Sequence, residues 1–439
     1  MRDTLRPRSR ARTVAGTVAG VLAVAVAVTA GATFLPASEP RPVLTTTTAA
    51  VPAAGAGVYG PAGGPGSVKA LQDRLRRLPG DHQAWAALGT AYVQQARITA
   101  DPAYYTKAEQ ALGRAARLAP GDFAVLTGRA ALAAGRHEFA EAARLARRAT
   151  EANPYGAAAY GVLADSSTQL GDYAEATRAV RRMTELRPGV SSFTRASYDA
   201  ELRGDTARAR MLMEAALDDA FTSEDRAYCR YYLGELALRA GDLGAAERAY
   251  GEALRASPGF LPARAGLARA AALGGDLERA AAGYAEVVGR LPLAQYVVEY
   301  GEVVRKLGRD PSPQWAVLRA QKDLMAANGV RDDITWAEFE ADHGSPDAAV
   351  RHAKAEYARN PNMVAADALA WALHKAGRSR EALPYTREAT ALGWRNALIA
   401  HHRGVIEKAS GRDANLFSSL ATEYNPRFDP ALPSLARFT

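Results

Sequence analysis

Prolines recur in the middle of the chain at a fixed interval. Pro120, Pro154 and Pro188 are 34 residues apart, and Pro258 and Pro292 are separated by the same distance. The interval from Pro188 to Pro258 is 70 residues, which is close to two such units. A fixed period of this length indicates one supersecondary unit that is repeated and stacked.

Each unit has turn residues at its centre. A glycine followed by an aspartate recurs at four places, which are Gly171-Asp172, Gly204-Asp205, Gly241-Asp242 and Gly275-Asp276. Glycine adopts the left-handed conformation that ends one helix, and aspartate caps the start of the next. The unit is therefore predicted to be a pair of helices. Ser67 is predicted to cap a lone helix from Val68 to Leu78, which closes the N-terminal end of the stack.

The first unit carries the sequence Trp85-x2-Leu88-Gly89-x2-Tyr92. Helical spacing places Trp85, Leu88 and Tyr92 on one face, and Gly89 removes a side chain where a second helix must approach closely. Later units have packing residues at corresponding offsets, namely Leu163, Ala176, Leu233, Gly234 and Ala246.

The period, the octapeptide and the turn residues together resemble the pattern of the tetratricopeptide repeat family over residues 67 to about 430. The resemblance implies an all-α fold, an α-solenoid of stacked antiparallel helix pairs that forms a superhelix. In this family the first helices line a concave groove, where peptides of partner proteins bind. The Arg-rich and Ala-rich composition also resembles that of proteins from high-GC bacteria.

We expect about ten helix pairs in residues 67–430, followed by a tail at 431–439. The interval from Pro79 to Pro120 exceeds the period by seven residues, nearly two helical turns, so the first helix of unit 1 should continue toward Arg97. Ser223 to Arg226 is interpreted as a short link before the fifth unit. The predicted starts of the units are residues 82, 123, 157, 190, 227, 261, 295, 330, 363 and 397.

The N-terminal end shows the pattern of an export signal or a membrane anchor. A basic region at 1–13 precedes an uncharged run of 22 residues at 14–35, which is long enough to cross a bilayer. Two interpretations remain open. The run is either a signal peptide cleaved near Ala32, after the small residues Ala30-Gly31-Ala32, or a retained single-pass anchor.

Both interpretations place the rest of the chain outside the cytoplasm, because arginine-rich flanks stay on the cytoplasmic side. Residues 36–66 are rich in Pro, Thr, Ala and Gly and have no apolar period, so we expect a disordered linker. The formal net charge of the chain is +8, of which residues 1–41 contribute +4. No basic patch is left for the repeats, and nucleic acid is not an expected partner.

Aromatic and charged side chains alternate beside the packing face of the first helices in the later units. Such a mixture suits peptide recognition, because aromatic rings give contact area and Arg or Lys holds carboxylates. The candidate groove residues are Tyr228, Tyr231, Glu235, Arg239, Arg269, Tyr296, Glu299, Lys306, Trp371, His374 and Lys375. Further polar residues on the same helices are Arg331, Glu338, Asp342, Asp367, His401 and Lys408.

No motif for catalysis or a metal is recognisable. Gly55-x-Gly57-x-x-Gly60, which matches a dinucleotide-binding pattern, follows a Thr/Ala/Pro tract where that motif needs a strand, so no cofactor is expected. Cys229, the one cysteine, lies among tyrosines and is interpreted as a small packing residue. His401 and His402 are adjacent, so they point to different faces of a helix and do not predict a shared metal. There is no HExxH, P-loop or nucleophile elbow, and an enzyme is not expected.

The expected function is therefore a non-catalytic extracytoplasmic scaffold that binds another protein or a peptide segment in the cell envelope. Two alternatives are recognition of an envelope polymer or glycan, with Trp371, Tyr228, Tyr231 and Tyr296 stacking on sugars, and an accessory subunit that holds an envelope enzyme. The oligomeric state is left open by the sequence.

A reporter fused after residue 439 tests the predicted topology. An enzyme that is active only outside the cytoplasm should be active in this fusion, because the arginines before residue 14 hold the N-terminus inside. A reporter that is active only in the cytoplasm should be silent at the same position. The opposite pattern of activities would show that the repeats remain in the cytoplasm.

Overall fold

A computed structural model describes residues 67–437, where all regular secondary structure is helical. The first helix, α1 (Val68–Arg77), stands alone, and twenty further helices form ten pairs. The first helices of the pairs are α2 (His82–Thr99), α4 (Phe123–Gly135), α6 (Ala157–Gln169), α8 (Val190–Leu202), α10 (Ser223–Arg239), α12 (Leu261–Leu273), α14 (Ala294–Lys306), α16 (Asp333–His343), α18 (Met363–Lys375) and α20 (Ala397–Ala409).

The second helices lie between them in sequence. They are α3 (Ala103–Leu118), α5 (Phe139–Ala152), α7 (Tyr173–Leu186), α9 (Thr206–Asp218), α11 (Leu243–Ala256), α13 (Leu277–Arg290), α15 (Ser312–Ala327), α17 (Pro346–Arg359), α19 (Ser379–Ala389) and α21 (Asn415–Tyr424). A short 3-10 helix follows at Pro433–Ala436. The predicted all-α solenoid of helix pairs is confirmed for this range, whereas the predicted segments 1–13, 14–35 and 36–66 lie outside it.

The helix pairs stack in sequence order. Each second helix contacts the first helix of its own unit, and all but α15 and the last, α21, also pack along the first helix of the next unit. The first helices of successive units also contact each other, and between α12 and α14 the contact is made by long side chains such as Arg269 and Glu299, so the first helices form an inner layer. The second helices form the outer layer.

The turn chemistry inside the units is as predicted. Gly171, at φ +76°, ends the turn after α6, and Asp172 accepts a hydrogen bond from the amide of Glu175 at 2.9 Å. The same arrangement recurs at the other three Gly-Asp pairs, with φ values of +75°, +75° and +92°. The corresponding aspartates, Asp205, Asp242 and Asp276, each cap the following helix.

Two predicted boundaries can be compared with the structure, namely the end of the first helix in unit 1 and the start of the fifth unit. The helix α2 runs unbroken to Thr99, and Asp101 then accepts from the amide of Ala103 at 3.0 Å, as expected for the lengthened first unit. The interpretation of Ser223 to Arg226 as a link is wrong. These residues form the first turn of α10, because Thr222 caps it by accepting from the amide of Asp225 at 3.0 Å.

The array curves tightly enough that its successive turns touch. The side chain of His137, after α4, donates from Nδ1 to the carbonyl oxygen of Arg331 at 3.1 Å, across 194 residues of sequence. Asn362 donates from Nδ2 to the carbonyl oxygen of Gln169 at 2.8 Å, across 193 residues. Contacts at this interval correspond to one superhelical turn of about five and a half units of 34 residues.

The same interval recurs along the array. The amide of Met363 donates to the hydroxyl of Tyr173 at 2.8 Å, and Asn425 Nδ2 donates to the carbonyl oxygen of Leu238 at 3.2 Å. Gly204 lies so close to the carbonyl of Gly393 that a Cβ atom would collide with it. We call this set of contacts the inter-turn seam. It joins Arg136–His137, Gln169–Tyr173, Gly204 and Leu238–Gly241 to Gly329–Arg331, Pro361–Met363, Gly393 and Asn425–Pro426.

The α-helices of residues 67–437 are elements of the stack. No helix there has both the length and the apolarity that are required to cross a bilayer.

The close approach at Gly89 generates a stability prediction. A Cβ atom on Gly89 would collide with the side chain of Leu112, which is buried in the facing helix α3. We expect Gly89→Ala to lower the free energy of unfolding by roughly 1–3 kcal/mol through overpacking. Gly113→Ala is the matched control, since its nearest neighbour, Arg117 Nη1, would be 3.7 Å away. It should stabilise by about 0.5–1 kcal/mol, because alanine is the better helix former.

Urea unfolding followed by circular dichroism measures both variants. Equal stability of the Gly89→Ala and Gly113→Ala proteins would contradict the close packing of α2 on α3.

Candidate functional site

The C-terminal tail lies on the inner layer of first helices. After α21 the chain turns at Asn425 and runs back to the 3-10 helix at Pro433–Ala436, which contacts α14 and α20. Leu432 and Leu435 of the tail are buried in one apolar cluster. The members of this cluster on the inner layer are Ala268, Ala271, Ala272 and Val303.

Polar contacts hold the same segment. Lys306, at the end of α14, is ion-paired with Asp429. Glu302, one turn earlier, accepts from the amide of Ser434 at 3.1 Å and from its hydroxyl at 2.5 Å. Asn396 donates from Nδ2 to the carbonyl oxygen of Ala436 at 3.3 Å. Backbone and side-chain groups of the tail are thus both recognised by the inner layer.

Arg437 forms the ionic contact between the tail and α16. Its guanidinium donates to Asp342 at 2.5 Å, and its Nε lies 3.2 Å from Glu338, so two carboxyl groups of α16 share one cation. Burial raises the pKa of Asp342, but Arg437 and the indole N–H of Trp371 outweigh burial and lower that pKa to about 2. Burial raises the pKa of Glu338 to about 7 against the opposing effect of Arg437. Arg437 is therefore matched chiefly to Asp342.

Most of the candidate groove residues form a buried network instead of a surface. Arg269 of α12 is 2% exposed and lies between two glutamates, with Nε 3.0 Å from Glu299 and Nη1 2.9 Å from Glu235. The hydroxyl of Tyr231 lies 3.2 Å from Arg269 Nη1. Arg239 is ion-paired through Nε with Glu201 at 2.6 Å.

The aromatic members of the candidate set are also in the interior. Tyr228 and Tyr231 pack in the cluster around α10, and Tyr296 is fully buried beside the guanidinium of Arg269. The physical cause is the tight curvature, which brings neighbouring first helices together at the axis. Sequence reasoning assumed an open groove, in which such residues face solvent.

The remaining candidates lie nearer the rim. Trp371 is half-buried, stacks on His402 with ring centroids 4.0 Å apart, and donates to Asp342 at 2.8 Å. His374 is hydrogen-bonded to the hydroxyl of Ser379 at 3.0 Å, and Lys375 is exposed. Of the eleven candidates, Lys306 is the one that forms an ion pair with the tail.

Sequence reasoning recognised a tail after the last repeat but assigned no binding role to its residues. Leu432, Leu435 and Arg437 lie after the last repeat and outside its period, so no recurrence marks them. Glu302 was also missed, although it follows the candidate Glu299 by three residues on α14 and therefore lies on a neighbouring part of the same face.

The predicted packing residues lie at helix contacts. Leu88, Gly89, Leu163, Ala176, Gly234 and Ala246 are buried, and Leu233 is half-buried against the cluster around α10. The indole N–H of Trp85 donates to the carbonyl oxygen of Pro79 at 2.9 Å. Tyr92 accepts from Gln72 of α1 at 2.7 Å, which fastens the lone first helix to the stack.

Metal-ligating side chains do not converge in the part of the chain that the structure describes. No group of three or more His, Cys, Asp or Glu residues there has the geometry to hold a metal ion. Burial raises the pKa of the Cys229 thiol to about 12, which disfavours the nucleophilic thiolate.

Comparison with known proteins gives structural likeness only. No protein-family model and no curated protein matches the chain. It is similar in structure to a thermophilic TPR protein of Thermus thermophilus, at 21% identity and a TM-score of 0.35 over 39% of this chain and 90% of the other. It is also similar to PilW, a type IV pilus biogenesis factor, at 19% identity and a TM-score of 0.37 over 47% and 93% of the two chains.

A tetratricopeptide repeat protein from Parabacteroides merdae ATCC 43184 matches at 14% identity and a TM-score of 0.41, over 58% of this chain and 91% of that protein. At these identities and TM-scores the likeness carries no argument about function. The repeat solenoid is shown by the stack of helix pairs in the structure itself.

The buried network predicts a pH dependence of stability. Burial raises the pKa of Glu299 from its usual 4.5 to about 7, with Arg269 opposing. Because the folded pKa is the higher one, the stability contributed by this group is full below pH 4.5 and is lost as the pH rises through about 7. We expect Glu299→Gln to flatten the decline of stability between pH 5 and pH 8, by at most about 1.4 kcal/mol per pH unit.

Chemical denaturation at several pH values measures this slope. Glu278→Gln is the control, because Glu278 is exposed and pairs with Arg309 on the surface. Identical slopes in the wild type and in Glu299→Gln would show that Glu299 does not ionise in this range in the folded protein.

Proposed function

We propose that the protein is a non-catalytic scaffold that binds a partner protein through the inner face of its helical repeats. The observation that carries this proposal is the tail, an extended segment of the chain held on the first helices by apolar and ionic contacts. The inner face thereby displays the contacts that an external peptide would need.

The chemistry of the tail indicates what kind of peptide this face accepts. Leu432 and Leu435 supply the buried apolar area; Leu432 immediately precedes the one-turn 3-10 helix, and Leu435 lies within it. Asp429 and Arg437 supply opposite charges that match Lys306 and Asp342. Apolar anchors flanked by charge-assisted pairs are typical of peptide recognition.

We further propose that the scaffold works on the extracytoplasmic side of the cell membrane. Support comes from the arginines at 1–13 and the uncharged run at 14–35, by the positive-inside rule. The chain is then either anchored by this run or secreted after cleavage near Ala32. The partner would be a protein or peptide segment in the cell envelope, and an envelope enzyme held by the scaffold fits the same proposal.

Recognition of an envelope polymer or glycan has less support. Stacking on a sugar requires an accessible ring face, whereas Tyr228, Tyr231 and Tyr296 are buried and Trp371 is stacked on His402. A protein partner is therefore the function that we propose.

A labelled peptide of residues 425–437 tests recognition by the inner face. In the wild type the tail competes with this peptide, so binding should be weak. A full-length variant with Leu432→Ala, Leu435→Ala and Arg437→Ala should bind the peptide at least roughly tenfold more tightly, which corresponds to about 1.4 kcal/mol. Fluorescence anisotropy measures the affinity, and circular dichroism verifies that the variant retains its helices.

Two controls sharpen this experiment. Adding Lys306→Ala to the variant should weaken the peptide several-fold, because Asp429 loses its ionic partner. A peptide of the same composition in scrambled order should not bind. If the peptide binds equally to the wild type and to the folded variant, the inner face does not recognise the tail, and the proposed binding surface is wrong.

A further inference from the structure

A cavity of about 270 Å³ lies on the inner side of the inter-turn seam. Its wall combines residues near the C-terminal ends of first helices in one superhelical turn, such as Gln169 and Leu202, with residues near the start of first helices in the next turn, such as Val298 and Val364. Ser434 and Arg437 of the tail complete the wall. At about 30 Å³ per water molecule, the volume is equivalent to roughly nine waters.

Most of the wall is apolar. Apolar side chains of the wall include Phe139, Leu202, Val298, Met325, Phe339 and Met363. Water in such surroundings finds few hydrogen-bond partners, so an organic molecule that displaces it gains free energy from apolar contact. Known small-molecule sites have this character, a concave apolar wall with a few polar groups that fix orientation.

One carboxyl group of the wall is incompletely neutralised. Within residues 67–437, Glu338 has one ion-pair partner, Arg437 Nε at 3.2 Å, and this guanidinium also pairs with Asp342 at 2.5 Å. Asp332 and Glu356 contribute two further carboxyl groups to the wall. Glu356 has its own cation in Arg359, at 2.8 Å, and accepts from Asn360. Negative charge is therefore in excess around Glu338.

The protonation behaviour of Glu338 agrees with this excess. Burial raises the pKa of Glu338 to about 7, although the positive charge of Arg437 acts to lower this pKa. The neighbouring carboxylates of Asp367, Asp342 and Asp332 act in the same direction as burial. Protonation of this carboxyl is therefore favoured more than that of an exposed glutamate. A second cation within reach of this carboxyl would favour its charged form.

We propose that the cavity binds a small amphiphile whose apolar body packs against the aromatic and aliphatic wall and whose protonated amine pairs with Glu338. An alkylamine or an arylalkylamine of about ten non-hydrogen atoms fits the stated volume. An anionic amphiphile would meet Asp332, Glu338 and Glu356 with a like charge. A neutral one would fill the space but would leave the carboxyl of Glu338 without a further partner. The argument for this ligand does not rest on the proposed binding of a protein by the inner face.

Isothermal titration calorimetry on the full chain tests the proposal with three probes of equal length, which are hexylamine, hexanol and hexanoate. Hexylamine should bind at least roughly tenfold more tightly than hexanol, since hydrogen bonds to charged groups are the stronger ones. Hexanoate should not bind. In Glu338→Gln the amine should lose this advantage, and the affinity for hexanol should be unchanged. Glu214→Gln, at an exposed glutamate of α9, should leave all three affinities as in the wild type.

Proton release provides a readout that a merely structural role of Glu338 would not change. Near pH 7 the bound ammonium lowers the pKa of Glu338, so binding should release a fraction of a proton, measurable as a dependence of the heat on the ionisation enthalpy of the buffer. The release should vanish in Glu338→Gln and at pH 8.5, where the carboxyl is already charged, and the affinity should fall toward pH 5.5. The charged and titratable groups around this carboxyl are Arg437, Asp342, Asp332, Asp367, Glu356, Arg359 and His137.

A second variant tests whether the probes bind inside the cavity. Val298→Phe introduces a larger side chain into the wall and should abolish the binding of both hexylamine and hexanol, while circular dichroism shows intact helices. Equal affinity for amine and alcohol in the wild type, or amine binding that persists in Glu338→Gln or Val298→Phe, would overturn the proposal. Absence of hexylamine binding to the wild type would overturn it as well.

Discussion

The hydrogen bonds of the inter-turn seam fix the diameter of this protein, and the other features depend on that diameter. His137, Tyr173 and Asn362 each form a contact that spans about one superhelical turn. A ring of about five and a half units leaves little space at its centre, so the first helices touch one another along the axis. A wider superhelix would leave the same side chains on an open concave surface.

Close packing at the axis places ionisable groups where water cannot reach them. A buried charge is tolerated only when it is paired and hydrogen-bonded, and the removal of one partner costs more than the pair contributes. Arg269, Glu235 and Glu299 meet this requirement across three successive units. Because each pair connects different first helices, the network also constrains how far one unit can slide against the next. The geometry of this network therefore depends on the curvature of the array.

The tail and the cavity share the space that remains inside the superhelix. Arg437 belongs to both, because it anchors the tail to Asp342 and also forms part of the cavity wall beside Glu338. Displacement of the tail by a partner peptide would therefore remove both a wall and a cation from the cavity. Protein binding on the inner face and ligand binding in the cavity are physically connected at this one residue.

The sequence by itself determined the local unit of the structure. The 34-residue period, the Gly-Asp turns and the octapeptide around Gly89 specify a helix pair, and these signals lie within single units. Only the tertiary structure decided that candidate groove residues such as Arg269 and Tyr296 are buried. It alone also decided that Leu435 of the tail packs on the first helices. The physical reason is that superhelical curvature accumulates from small rotations between units, and the contacts that fix it join residues nearly two hundred positions apart. No periodic or local pattern in the chain encodes those contacts.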